Sequence, residues 1–144
     1  MQTAQRLEIA IDIAQQAGQA IIDARQSQDF SQRYKAGNEL VTDTDVAVDT
    51  LIGRALEEHF PNEARLTEEL SPDRGAIEQS GALWVVDPID GTVNFAHGLA
   101  HVAVSIAWVK DGQVEIGVVH APFLGETFTA VRGQRAWLNG ERIR

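Results

Sequence analysis

The hydrophobic period of this chain changes once, near Pro61, and that change limits the possible folds more than any single residue does. Upstream of it, Leu7, Ala10, Ile11, Ala14, Ala17, Ile21 and Ala24 recur at three- and four-residue steps, the spacing that lines one face of an α-helix. A long amphipathic helix is expected over about 3 to 28, and its alanines together with Gly18 suit close packing against a neighbour. A second helix is expected from about Thr44 to His59, with Val46, Val48, Leu51, Ile52, Ala55 and Leu56 apolar, before Pro61 and Asn62 stop it. Tyr34 to Asn38, between the two, reads as a loop.

Downstream the pattern shortens and begins to alternate. Apolar segments at 64 to 67 and 83 to 87 are followed by longer alternating ones at about 101 to 110 and 113 to 121, as expected of strands. Asp111-Gly112 and Asn139-Gly140 are the dipeptides that tight hairpin turns select, because both central positions need positive φ. These turns predict one antiparallel hairpin over 101 to 121, a further strand at 125 to 131 and a smaller hairpin at 136 to 143. The fold class is therefore α+β, with two long helices covering one face of a mainly antiparallel sheet. At 144 residues and 44% hydrophobic content, the chain suffices for one domain with its own core.

Charge and residue usage remove several function classes. With 21 acidic against 12 basic residues, the formal charge is −9, which opposes non-specific binding to nucleic acid or to an anionic membrane. The chain has no cysteine, so disulfides, thiolate zinc sites and thiol catalysis are excluded. The histidines at 59, 97, 101 and 120 lack metal-ligand spacing, and Trp84, Trp108 and Trp137 fall in expected strands, so all read as packing or surface residues. Glu8 and Asp12 interrupt the N-terminal apolar positions, and no apolar run reaches the roughly 18 residues of a membrane span. A cytoplasmic location is the expectation.

The chemistry concentrates in Trp84-Val85-Val86-Asp87-Pro88-Ile89-Asp90-Gly91-Thr92. An apolar strand delivers two carboxylates to one sheet edge, and Pro88 fixes φ between them. Hard carboxylate oxygens suit a divalent cation such as Mg2+. Gly91 permits close backbone approach to a ligand, and Thr92 adds a hydroxyl beside amide N–H groups that face an anion if a helix opens there. Taken singly, Asp90-Gly91 makes a turn as readily as a site. Thr42-Asp43-Thr44-Asp45 likewise reads as an N-cap with acids favoured by the helix dipole, Glu68-Glu69 as a solvated acidic pair, and Lys35 as a solvated loop lysine.

The string Asp87-Pro88-Ile89-Asp90-Gly91-Thr92 resembles the signature of the inositol monophosphatase family, Mg-dependent phosphatases that include bisphosphate nucleotidases and fructose bisphosphatases. The resemblance extends to Leu40-Val41-Thr42-Asp43-Thr44-Asp45 and to Thr67-Glu68-Glu69. It implies the N-terminal part of a layered αβαβα fold and Mg2+-dependent hydrolysis of a phosphate monoester. Asp87 would bridge two ions, Glu68 and the Ile89 carbonyl would bind one, and Asp90 the second. Asp90, Gly91 and Thr92 would meet the substrate phosphate. Asp45 would accept a hydrogen bond from Thr92, making Thr92 a proton relay to the attacking water that Glu68 orients. Lys35 corresponds roughly to a lysine near the family's metal site.

Thr92-Val93-Asn94-Phe95 is similar to the inositol monophosphatase continuation, which implies an inositol, sugar or polyol phosphate as substrate; bisphosphate nucleotidase and histidinol phosphatase activities are the enzymatic alternatives. Members are often homodimers and usually close to twice this length, with a further metal-binding aspartate in a second α/β half that nothing here matches. The chain is thus expected to be an N-terminal fragment, residues 1–144 forming one domain. A non-catalytic metal-binding regulatory or interaction module on the same fold is the alternative from another class.

Overall fold

The computed structural model describes residues 1–27, 32–35, 39–67 and 81–143, with the backbone alone described at 32–35 and 39–41. Helix α1 (Thr3–Ser27) is followed by strands β1 (Gln32–Lys35) and β2 (Glu39–Thr42), then helix α2 (Asp43–His59) and strand β3 (Ala64–Thr67). Strand β4 (Ala82–Asp90) leads into a short helix, α3 (Thr92–Ala96), and then β5 (Ala103–Lys110), β6 (Gln113–Ala121), β7 (Glu126–Val131), β8 (Ala136–Leu138) and β9 (Glu141–Ile143).

Strands β3 to β9 form one sheet in sequence order, and every pairing in it is antiparallel except β3 with β4. The expected α+β architecture is present. Asp111 and Gly112 take φ of 50° and 80°, and Asn139 and Gly140 take 50° and 83°, the positive values that make these dipeptides hairpin turns.

Both helices pack on the same sheet face, because alternate residues of the strands point there. Ala82, Trp84 and Val86 on β4 and Val104, Ile106 and Trp108 on β5 are buried against Ile13, Ala17 and Ile21 of α1 and Val48, Ile52 and Leu56 of α2. Each large aliphatic residue of this group contributes about 1.5–3 kcal/mol by leaving water. In α1 the core stripe includes Ile13, whereas Ile11, an expected core residue, is only partly buried. Gly18 lets α1 approach β6 so closely that a methyl group there would lie 2.5 Å from the His120 ring.

The loop expected over 34–38 departs from the structure at its start. Tyr34 and Lys35, read as the start of a loop, lie in β1, which pairs antiparallel with β2 in a separate two-stranded sheet. Gln32-Arg33-Tyr34-Lys35 carries no apolar alternation, so the pairing comes from backbone hydrogen bonds with no hydrophobic signature. Positions 36–38 lie outside the described residues.

A polar cluster fastens the N-terminus of α1 to the sheet. Glu63 accepts two hydrogen bonds from Arg6, at 2.7 and 2.9 Å, and one each from the indoles of Trp108 and Trp84, at 2.8 and 3.2 Å. The Arg6 guanidinium lies 4.1 Å from the centroid of a Trp108 ring and 4.8 Å from that of Phe60. Desolvation pushes the Glu63 carboxyl up, but the bonds from Arg6 and Trp108, the Arg6 charge and the Trp84 bond outweigh it and hold its pKa below the ordinary carboxylate value.

Candidate active site

A register shift in β4 resolves how two aspartates three residues apart share one side of a sheet. Asp87 pairs with Ser105 and Asp90 with Ala103, so three steps along β4 match two along β5. In an unbroken strand such spacing sends side chains to opposite faces. The extra residue of the bulge restores the parity, setting both aspartates opposite the Ala103–Ser105 row, away from the helices. Pro88 and Ile89 are buried at the bulge while Asp90 is exposed.

Immediately beyond it, Gly91 adopts φ 96° as the N-cap of α3, and a Cβ there would lie 2.7 Å from the His101 carbonyl oxygen. Only glycine meets both the positive φ and the close approach. Thr92 then starts α3 with its hydroxyl 2.8 Å from Asp45 Oδ2 and 3.2 Å from the Ile89 carbonyl oxygen. Its single proton favours the shorter, charge-assisted bond, which leaves the oxygen lone pairs available as acceptors.

Asp45 reaches this point because α2 is capped by it. Thr42 is the N-cap, its side chain accepting from the Asp45 amide at 3.2 Å, and Asp45 Oδ1 accepts from the Thr42 amide at 2.9 Å and from the Thr42 hydroxyl. One buried carboxylate therefore caps a helix with one oxygen and holds Thr92 with the other. A turn further on, Asp49 Oδ2 accepts from the Thr67 hydroxyl at 3.3 Å, both residues being buried. The i, i+4 spacing of Asp45 and Asp49, which puts both on one face of α2, is the sequence signal for this second contact.

Thr67, the last described residue of β3, pairs with Val86, the neighbour of Asp87. Glu68 and Glu69 lie outside the described residues, and of Lys35 only the backbone, paired with Glu39, is described. Among the described residues no group of three or more His, Asp or Glu side chains is arranged to hold a metal ion. The oxygen donors carried by the bulged segment are the carboxylates of Asp87 and Asp90 and the carbonyl of Ile89. All are hard oxygen donors, so the set fits Mg2+ or Ca2+ better than a transition metal.

Asn94 and Phe95 are turned to structural use. Asn94 Nδ2 donates to the His101 carbonyl at 2.9 Å, closing the loop after α3, and Phe95 is fully buried. A shallow cavity of about 350 Å3 runs beside Asp87, lined by Leu66, Thr67, Val85, Val86, Ser105 and Ala107. A larger groove of about 590 Å3 lies between α1 and β7–β8, near Leu7, Ile11 and Trp137. Its lining carries no titratable side chain, whereas the lining of the smaller cavity includes the Asp87 carboxylate.

Residues 2–144 match the model of the inositol monophosphatase family. The chain is 37% identical over 139 residues to a fructose-1,6-bisphosphatase/inositol-1-monophosphatase of Thermotoga maritima, covering 96% of this chain and 52% of that protein. It is 42% identical over 139 residues to the Nus factor SuhB of Pseudomonas aeruginosa, covering 96% and 51% respectively. Among solved structures, the extragenic suppressor protein suhB of Bartonella henselae superposes with a TM-score of 0.90 at 30% identity, covering 97% of this chain and 54% of that one. An IMPase/NADP phosphatase complexed with Mg2+ and phosphate gives 0.82 at 25% identity, covering 99% and 54%. The chain spans about half the length of the curated relatives it matches.

Proposed function

The chain belongs to the inositol monophosphatase family, and from that premise we propose that its bulge site serves Mg2+-dependent hydrolysis of a phosphate monoester of inositol or a related sugar or polyol. The observation that carries this reading is the Thr92–Asp45 hydrogen bond at 2.8 Å, made beside the strand end that bears Asp87, Ile89 and Asp90.

In the reaction, water adds to phosphorus, the ester P–O bond breaks, and the departing oxygen takes a proton to give the free alcohol and inorganic phosphate. Asp87, Asp90, the Ile89 carbonyl and Glu68 would hold Mg2+, which when bound neutralises phosphoryl charge and makes water easier to ionise. Thr92 donates its proton to Asp45, so its oxygen is left to accept a proton from the attacking water, which Glu68 would orient. Asp90, Gly91 and Thr92 would meet the substrate phosphate.

The test is phosphate release from inositol 1-phosphate across a Mg2+ titration, comparing wild type with Asp87→Asn. Loss of about a hundredfold or more is expected with an unchanged melting temperature. A variant with wild-type turnover refutes the assignment. The second reading, a binding module without turnover, is favoured by the name Nus factor on a 42% identical relative. Phosphate release by the 144-residue chain above that of Asp87→Asn rejects it.

A further inference from the structure

We propose that Arg25, near the C-terminal end of α1, is a positioning residue that anchors the far end of α3 and thereby keeps Thr92 on Asp45. The inference rests on the functional reading above for its consequence, but on geometry for its substance. Arg25 Nη2 donates to the Phe95 carbonyl at 3.0 Å, and its guanidinium carbon lies 3.9 Å from the ring centroid of Phe123 and 5.1 Å from that of Phe95. The group is half-buried between the two rings.

Helix α3 has five residues, far below the roughly 12–15 at which an isolated helix becomes even marginally stable in water. Local bonds close its ends: Phe95 N–H donates to the Gly91 carbonyl at 2.9 Å, His97 N–H to the Val93 carbonyl at 3.1 Å and Leu99 N–H to the Asn94 carbonyl at 2.8 Å. Tertiary attachments must hold it in place. At its N-terminal end the attachment is Thr92 to Asp45 of α2. At its C-terminal end the Phe95 carbonyl accepts from Gly98 N–H at 3.1 Å and from Arg25 of α1, a cation placed where the helix dipole favours positive charge. Two different helices thus grip opposite ends of one turn. With the Arg25 bond broken, α3 pivots about Phe95, and the hydroxyl of Thr92 is no longer held at a fixed angle to Asp45.

The alternative role for Arg25 is to cover two aromatic rings. Arg25→Met separates the two, because methionine still packs on Phe95 and Phe123 but cannot donate a hydrogen bond. Arg25→Lys retains a charged donor. Amide hydrogen exchange read by NMR on the 144-residue chain reports α3 directly at Phe95 and His97, with Val104 and Ile106 in β5 as core references. In Arg25→Met, exchange at Phe95 and His97 is expected to quicken about tenfold or more, with the β5 amides changing less than about twofold; Arg25→Lys should return to within about threefold of wild type.

Arg25→Met combined with Thr92→Val should also depart from the product of the single effects by at least about threefold, since both act on the same short helix. Unchanged exchange at Phe95 in Arg25→Met, an equal rise at every amide, or strictly multiplicative effects with Thr92→Val overturns the proposal. Phosphate release by wild type tests the functional reading separately, so failure of one is distinguishable from failure of the other.

Discussion

Glu63→Gln removes a charge from a cluster in which one carboxylate satisfies three side chains. Gln keeps the shape and one accepting oxygen, but its amide nitrogen faces Arg6 Nη2, which now donates 2.9 Å to Glu63 Oε2. One charge-assisted bond is lost outright, at about 1.5–3 kcal/mol, and the remaining bonds from Arg6, Trp84 and Trp108 become neutral on the acceptor side. The side chains of Arg6 and Glu63 are only 14% and 12% exposed, so solvent replaces little of the loss. Removing one partner of a fully buried pair costs about 3–5 kcal/mol, which sets the ceiling. The expected destabilisation at pH 7 is about 2–4 kcal/mol, or roughly 8–14 °C in Tm for a domain of this size.

The assay is urea unfolding followed by tryptophan fluorescence, repeated from pH 7 to pH 3. Because the folded pKa of Glu63 lies below its ordinary value, its contribution is fully present above the unfolded carboxylate pKa, about 4.3, and is lost as pH falls through the folded one. The gap between wild type and Glu63→Gln should therefore be constant at pH 6–7 and shrink below about pH 4. A gap under about 1 kcal/mol at pH 7, or one that does not change with pH, refutes the reasoning.

Gly18→Ala gives a second test in which two effects oppose. Alanine gains about 1 kcal/mol of helix propensity, but its methyl would meet His120 Cδ2 at 2.5 Å and Pro122 Cβ at 3.1 Å, and overpacking of that kind costs about 1–3 kcal/mol. The His120 ring is held by Thr127 Oγ1 at 2.9 Å, so net destabilisation is expected in urea unfolding, and a stabilised variant overturns the packing argument. His120 itself supplies a pH dependence: burial pulls its pKa below the ordinary value, so the unfolded chain binds more protons near pH 6. Stability should rise with pH through this window and fall as pH drops below about 6.5; His120→Gln should flatten that slope in unfolding measured from pH 8 to 5.

The elements were legible where burial enforces a period. Helices α1 and α2 and strands β4 to β7 each carry an apolar face that only one secondary structure can bury, and the two hairpin turns need positive φ that Asp-Gly and Asn-Gly supply. Strand β1 was not legible, since Gln32-Arg33-Tyr34-Lys35 carries no apolar alternation and its strand shows in the backbone pairing with β2. The Arg6–Glu63 pair was hidden for a different reason. Its members stand 57 residues apart, and nothing local to either marks the other. Arg25 and Phe95, 70 residues apart, illustrate the same limit: periodicity reports which face is buried, while partners across the core emerge only from the packing of whole elements. The aspartates of β4 fall between these cases. Their residue types are those of an oxygen-donor site, but their common side depends on a bulge that no residue type reports.

Asp45 was open to two readings from sequence, a helix cap and a partner for Thr92, and the geometry makes them one. Its Oδ1 belongs to the Thr42 cap and its Oδ2 to the Thr92 hydroxyl, so the cap sets the rotamer from which the second contact is made. A substitution at Asp45 would therefore uncap α2, at about 1 kcal/mol, while it released Thr92, and lost activity would not say which contact mattered. Thr92→Val separates them, because it is nearly isosteric and leaves the Thr42–Asp45 bonds in place. The cap also explains how the site withstands a buried carboxylate. Asp45 is 3% exposed, yet the donors arranged around it at Thr42 and Thr92 satisfy both oxygens. That arrangement fixes the Thr92 hydroxyl between Asp45 Oδ2 and the Ile89 carbonyl.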